Sequence, residues 1–183
     1  MRPAAPAGGL GMIWAQDATG LLGARGGMLW RVPADFRHFR ATTMGCGLVM
    51  GRSTWDSLAG ALTGRRNVVL TRDRRWRAPG ALRASGLRQG LAAAARGLSA
   101  ELGEDPRTGE AAGLPRLWVI GGGSVYDQAL AAGLPDVLVV SVLDLDAAER
   151  ARERGLPEPD LVRAPAVCAR QWRIDPARSD APG

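Results

Sequence analysis

Apolar residues fall along this chain in short runs, set apart by polar and glycine-rich stretches. Residues 10–15 (Leu-Gly-Met-Ile-Trp-Ala) and 117–120 (Leu-Trp-Val-Ile) are continuous apolar runs without helical period, so each reads as a strand. Residues 48–50, 67–71 and 137–143 are rich in Val and Leu and read the same way, with 81–84 a weaker strand. Pro33 opens a helix over 33–43, since a proline at the first helical position sacrifices no hydrogen bond. A short helix follows Gly51 and runs to Leu58, the alanine-rich stretch 87–98 is helical, and another helix starts at the glycines after residue 120. Residues 17–27 read as a loop, 99–116 as an extended surface loop punctuated by Pro106, Gly109, Gly113 and Pro115, and 144–159 as charged and partly helical. Strands alternating with helices predict an α/β domain: a single doubly wound, mostly parallel sheet flanked by helices.

The length of 183 residues fits one domain, placed at 10–174, with a disordered leader at 1–9 and a frayed tail at 175–183. A hydrophobic content of 46% suffices for a core. The formal charge is +6, and every one of the 24 basic residues is an arginine. These arginines are scattered rather than gathered on one run, which argues against a nucleic-acid face and for a composition bias of the coding sequence. Such a chain still attracts small anions. Cys46 and Cys168 form no CxxC pair, so neither a metal site nor a disulfide framework is expected. The leader has no apolar core, and no run reaches membrane-spanning length. The expectation is a cytoplasmic monomer without membrane or nucleic-acid partners.

Five places could carry chemistry. Gly121-Gly122-Gly123-Ser124-Val125-Tyr126 follows an apolar strand and opens a helix, an order that presents bare backbone amides to a phosphate. Gly51-Arg52-Ser53-Thr54 repeats the order upstream; its hydroxyls suit either a phosphate or an ordinary helix cap. Thr71-Arg72 ends the next strand, where a hydroxyl and a guanidinium suit a further phosphate or simply face solvent. Asp35 lies in the first turn of the helix after Pro33. Acids there commonly complement the helix dipole. Here Phe39 shares its face and Met28, Leu29 and Trp30 precede it, so a carboxylate in apolar surroundings would want a ligand with two parallel N–H donors. Arg65, in the Gly64 turn, could clamp a carboxylate, with Arg66 the competing solvated arginine. His38, the single histidine, points away from Asp35 and is read as surface.

Together the Trp30-Arg31-Val32-Pro33-Ala34-Asp35 segment, the Gly51-to-Leu58 block, Gly64-Arg65-Arg66-Asn67 and the run from Val119 to Tyr126 resemble the dihydrofolate reductase family, in its order and spacing, over residues 10–144. The resemblance implies NADPH-dependent reduction of dihydrofolate to tetrahydrofolate, by hydride transfer to C6 with protonation of N5. It implies that Asp35 holds the pterin and helps deliver the proton, with Trp30 and Met28 completing the catalytic set. Ile13, Phe39, Leu58, Leu62 and Ile120 would wall the substrate pocket, Arg65 would take the glutamate carboxylate, and Ser141 would back up the acid. Ala15, Leu22, Gly23, Arg52, Ser53, Thr54, Thr71, Arg72, Gly121, Gly122, Gly123, Ser124, Val125 and Tyr126 would hold NADPH. The peptide between Gly121 and Gly122 would be cis, residues 23–29 a mobile lid, and antifolates would be ligands. Two departures stand out. Leu29 replaces a proline, which loosens the lid. No strand is left after residue 174 to close the sheet beside 137–143, so the C-terminal edge hairpin is expected to be incomplete and the chain truncated and less stable than a complete enzyme. The alternatives are a riboflavin-pathway reductase and a remnant that binds NADPH or antifolate without turnover.

Overall fold

The computed structural model describes residues 8–24 and 27–179. Residues 1–7 of the expected leader, the lid residues Arg25 and Gly26, and residues 180–183 of the expected tail lie outside them. Strand β1 (Gly11–Asp17) runs through the core. Its alternate side chains go to opposite faces, as the two-residue strand period requires. Met12 and Trp14 join one apolar cluster, and Ile13 joins another. Strands β3 (Gly47–Gly51), β4 (Arg66–Leu70), β5 (Ala81–Ala84), β6 (Leu117–Val119) and β7 (Val137–Leu143) complete a six-stranded sheet in the order β5-β4-β3-β6-β1-β7. Every pairing in it is parallel, which is the doubly wound architecture expected. A separate antiparallel pair joins β2 (Leu21–Ala24) to β8 (Leu161–Arg163).

The helices are α1 (Pro33–Thr43), α2 (Arg52–Ser57), α3 (Leu87–Ala95), α4 (Leu98–Leu102), α5 (Gly123–Ala131) and α6 (Ala147–Glu153). From β3 the chain steps outward to β4 and β5; from β6 it steps the other way, past β1 to β7. The direction reverses between β3 and β6, and ligands in open α/β sheets bind beyond the carboxyl ends of the strands at such a reversal.

Several expectations change here. The stretch read as one helix over 87–98 is broken at Gly97, whose φ of +63° is left-handed and ends α3, so that Leu98 starts α4. The 99–116 stretch therefore begins helical. It is also pinned from inside: the buried Arg107 guanidinium donates to the carbonyls of Thr42, Leu114 and Pro115 and to the Asp105 carboxylate. The loop read at 17–27 contains β2. Residues 161–163 pair with β2 rather than extending the sheet at β7. Among the described residues β1 is the single strand neighbour of β7, and Val140 and Val142 are exposed there.

Candidate active site

The reversal between β3 and β6 is stitched by backbone. The Ile120 N–H donates to the Val49 carbonyl at 3.0 Å, and the Gly51 N–H donates to the Gly121 carbonyl at 2.8 Å. The Gly121–Gly122 peptide is cis. A Cβ on Gly121, which sits at a φ of +131°, would lie 2.9 Å from Thr54 Oγ1; one on Gly122 would lie 3.3 Å from the same atom. Bare backbone ahead of α5 thus faces the hydroxyls of Ser53 and Thr54 on α2. Ser124 is exposed in the first turn of α5. Such a cradle fits the pyrophosphate of a dinucleotide, because nothing bulky separates ligand from amides.

Other residues expected at the cofactor have partners inside the chain or face solvent. A Cβ on Gly123 would meet Val162 Cγ1 of β8 at 3.3 Å, so its bare side is filled by the chain itself. Val125 and Tyr126 belong to the core. The Tyr126 hydroxyl donates to the Ile13 carbonyl at 2.7 Å, which joins α5 to β1, and burial pushes its pKa upward; a Cβ on Gly121 would lie 3.5 Å from the same hydroxyl. Arg52 is paired with Asp56 at 2.8 Å and stacked 5.4 Å from the Trp76 ring. Thr71 Oγ1 accepts the Asp73 N–H within its own turn, and Arg72 is exposed.

The substrate side is more complete. Ile13 lies in an apolar cluster against which Phe39, Leu58, Leu62 and Ile120 pack, each of those four only partly buried. The five side chains come from β1, from α1, from the stretch after α2 and from the end of β6, and together they leave an apolar wall open. Asp35, half-buried, stands one helical turn before Phe39. The Arg65 guanidinium lies 6.0 Å from the Phe39 ring centroid and donates to Thr43 Oγ1 at 3.3 Å. Burial, and next the Arg40 cation, hold its pKa below the ordinary guanidinium value, so an anion there would be doubly favoured. Asp35, Phe39 and Thr43 succeed one another at helical i,i+4 spacing on one face. The wall therefore carries an acid at one end and a cation at the other.

The third side is built from β2 and the approach to α1. Leu29 and Trp30 are buried with Leu21 and Ala24 against Ala147 and Ala151 of α6, and Ala15 packs on the same cluster. The Leu29 side chain is thus packed into this cluster. The Trp30 indole N–H is buried with no acceptor among the described residues. Met28 is exposed. Gly23 is required by close approach: a Cβ there would lie 2.7 Å from the Gly27 carbonyl oxygen. Leu22 packs instead on the cluster that holds Trp14 and Val125. Ser141 is in register with Ala15, one strand period beyond the Ile13–Val139 pair, on the face that carries the wall.

Two positioning groups escaped the reading of the sequence. Asn67 accepts the Leu62 N–H at 3.0 Å and donates to the Leu62 and Arg65 carbonyls at 3.1 and 3.0 Å, which fixes the turn carrying Leu62 and Arg65. Asp17 is fully buried at the end of β1 and accepts from the Thr19 and Leu21 amides, the Thr19 hydroxyl and the Ala147 amide. Burial alone would raise its pKa, but the four donors outweigh burial and hold it below the usual carboxylate value. A local signal existed for Asp17, since Asp-x-Thr-Gly after a strand is an Asx-turn pattern. Asn67's partners lie in a turn before its strand, and its residue type does not announce them. The Cys46 thiol is buried and pushed up to about 11, mainly by that burial, which makes it inert. Among the described residues there is no cluster of potential metal ligands, and no helix is long and apolar enough to cross a membrane.

Comparison with known proteins converges on the same region. The family model described as dihydrofolate reductase matches residues 9–148. A dihydrofolate reductase of Mycobacterium tuberculosis (strain H37Rv) is 42% identical over 124 residues, covering 66% of this chain and 64% of that protein. The Mycobacterium leprae dihydrofolate reductase is likewise 42% identical over 124 residues, covering 66% and 65%. The matched stretch thus spans somewhat less than two thirds of the mycobacterial proteins' length. Among solved structures, a dihydrofolate reductase from Enterococcus faecalis complexed with NADP(H) and RAB-propyl superposes with a TM-score of 0.60 at 28% identity, covering 76% of this chain and 73% of that one.

Proposed function

This chain belongs to the dihydrofolate reductase family, and on that footing we propose that it reduces 7,8-dihydrofolate to 5,6,7,8-tetrahydrofolate with NADPH. One observation carries the proposal. Ile13, Phe39, Leu58, Leu62 and Ile120 converge on one open apolar wall bounded by Asp35 and Arg65, and that wall adjoins the glycine cradle through Ile120 and Gly121.

The division of labour follows from this arrangement. Thr54, Ser53 and the Gly121–Gly122 backbone hold the dinucleotide's phosphates, with Ser124 at the mouth and Arg72 contributing charge. When bound, NADPH supplies a hydride to C6 of the substrate. The carboxylate of Asp35 accepts the paired N3 and 2-amino donors of the pterin, a bidentate contact that orients the ring. The same acid helps bring the proton to N5. No covalent intermediate is needed, so one acid and two well-held rings suffice. Arg65 takes the glutamate carboxylate. Asp35 and Thr43, the hydroxyl partner of Arg65, stand eight positions apart on α1. At helical rise that is about 12 Å, long enough to put a heteroaromatic ring at one end and an acidic tail at the other. Trp30, just ahead of α1, and Ser141, on the wall's face of β7, would flank the acid, and Met28 would lie on the nicotinamide side with Ala15 and Gly23.

The test is direct: purified chain, NADPH and dihydrofolate, with absorbance loss at the reduced-nicotinamide band. Stoichiometric consumption of NADPH with tetrahydrofolate formation is expected; NADPH that binds but is not consumed defeats the proposal. The free, widely separated Cys46 and Cys168 support a reducing compartment such as the cytoplasm. A monomer is the expected state, and light scattering at assay concentration checks it.

A further inference from the structure

Helix α6 is fastened at both ends, and both fastenings reach the polypeptide that connects β1 to α1. At its N-terminus the Ala147 amide donates to Asp17 Oδ2 at 3.0 Å, while Asp17 Oδ1 takes the amide of Leu21 at the start of β2 at 2.9 Å. At its other end the Arg154 guanidinium donates to the Leu29 carbonyl at 3.2 Å and the Met28 carbonyl at 3.4 Å. Between these points Ala147 and Ala151 pack on Leu21, Leu29 and Trp30. The helix thus bridges the beginning and the end of the same connection. Its alanines let it lie close, and its two terminal bonds set where along the connection it sits.

The stretch so held is Met28-Leu29-Trp30, which leads through Pro33 into the turn that carries Asp35. A guanidinium is suited to this task, since its planar fork can serve two adjacent carbonyls at once. We propose that Arg154 is a positioning residue for the reaction: by gripping the Met28 and Leu29 carbonyls it fixes where Met28 and Trp30 stand relative to Asp35. The bonds it makes, to the Met28 and Leu29 carbonyls, go to neither the apolar wall nor the glycine cradle. Its loss should therefore disturb the geometry of the reacting rings more than the contacts that bind either ligand, and small misplacements of that kind are costly to rate. The proposal rests on the reductase reading for its kinetic part and on the fold alone for its structural part.

The experiment compares the full chain with Arg154→Ala and Arg154→Lys. Amide hydrogen exchange is followed in the unliganded protein, and kcat and KM are measured with NADPH and dihydrofolate. In Arg154→Ala, exchange over residues 27–31 is expected to rise about tenfold, with residues 47–51 and 119–126 unchanged. Turnover should fall roughly three- to tenfold while both KM values stay within about twofold, and Arg154→Lys should recover part of each effect. Exchange over 27–31 equal to that of the parent chain overturns the proposal. So does a loss that appears in KM with kcat unchanged. A parent chain that consumes no NADPH defeats the reductase reading, and with it the kinetic part of the proposal. The exchange result still decides whether Arg154 holds the stretch.

Discussion

The two flanks of the cleft are held by different means. The β3–β6 seam is fixed by main chain: amide-to-carbonyl bonds across Gly51–Gly121 and Val49–Ile120, with a Cβ excluded at Gly121. The flank formed by β2, Trp30 and α6 is fixed by side chains, chiefly Asp17, Arg154 and a small apolar cluster. Main-chain geometry leaves little latitude, and at Gly121 it excludes a Cβ. Side-chain fastening can be weakened by degrees. The seam is therefore suited to holding an invariant phosphate group, and the opposite flank to setting how the reacting parts are aligned.

Breaking the seam should have the largest effect. Gly121→Val places a Cβ against Thr54 at a φ unfavourable to any L side chain. It should destabilise the fold by about 3–4 kcal/mol and abolish measurable NADPH binding, read by urea unfolding and fluorescence titration. On the other flank, Asp17→Ala leaves two buried amides without an acceptor and should cost about 2–3 kcal/mol. This effect also has a signed pH dependence. The folded pKa of Asp17 is lowered, so its contribution is fully present above the ordinary carboxylate value near 3.8 and disappears as pH falls through the lower folded value. The parent chain should lose stability across that acid window, and the variant should lose less; parallel acid limbs would refute the assignment.

Smaller effects sharpen the contrast. Arg65→Leu removes a charge-assisted contact worth about 1.5–2 kcal/mol, so substrate KM should rise roughly 10- to 30-fold with NADPH affinity unchanged. Arg52→Ala breaks only an exposed pair with Asp56 and a stacking contact on Trp76, and should change stability by less than about 0.5 kcal/mol. A large loss of NADPH affinity in that variant would mean that Arg52 leaves Asp56 for a phosphate.

Legibility followed the range of the physics. The helix opened by Pro33 and the strand at 137–143 were readable, because a proline at N1 and a long β-branched run are local signals. So was the wall, whose members each carry an apolar side chain at the edge of an apolar run. What was not readable depended on distant partners. Tyr126 stands beside three glycines, and nothing in its neighbourhood announces that its hydroxyl bonds a carbonyl 113 residues away. β2 is short and glycine-containing, and it forms because β8 arrives from the far end of the chain. Arg107 reads as one more solvated arginine until the carbonyls around it are seen.

The central claim concerns one acid. Steady-state turnover of Asp35→Asn beside the parent chain, with NADPH affinity measured separately, tests it most directly. Turnover is expected to fall by about 100-fold or more, as removal of a general acid does, with NADPH affinity held within about twofold. An Asp35→Asn chain that turns over dihydrofolate as fast as its parent would contradict the account.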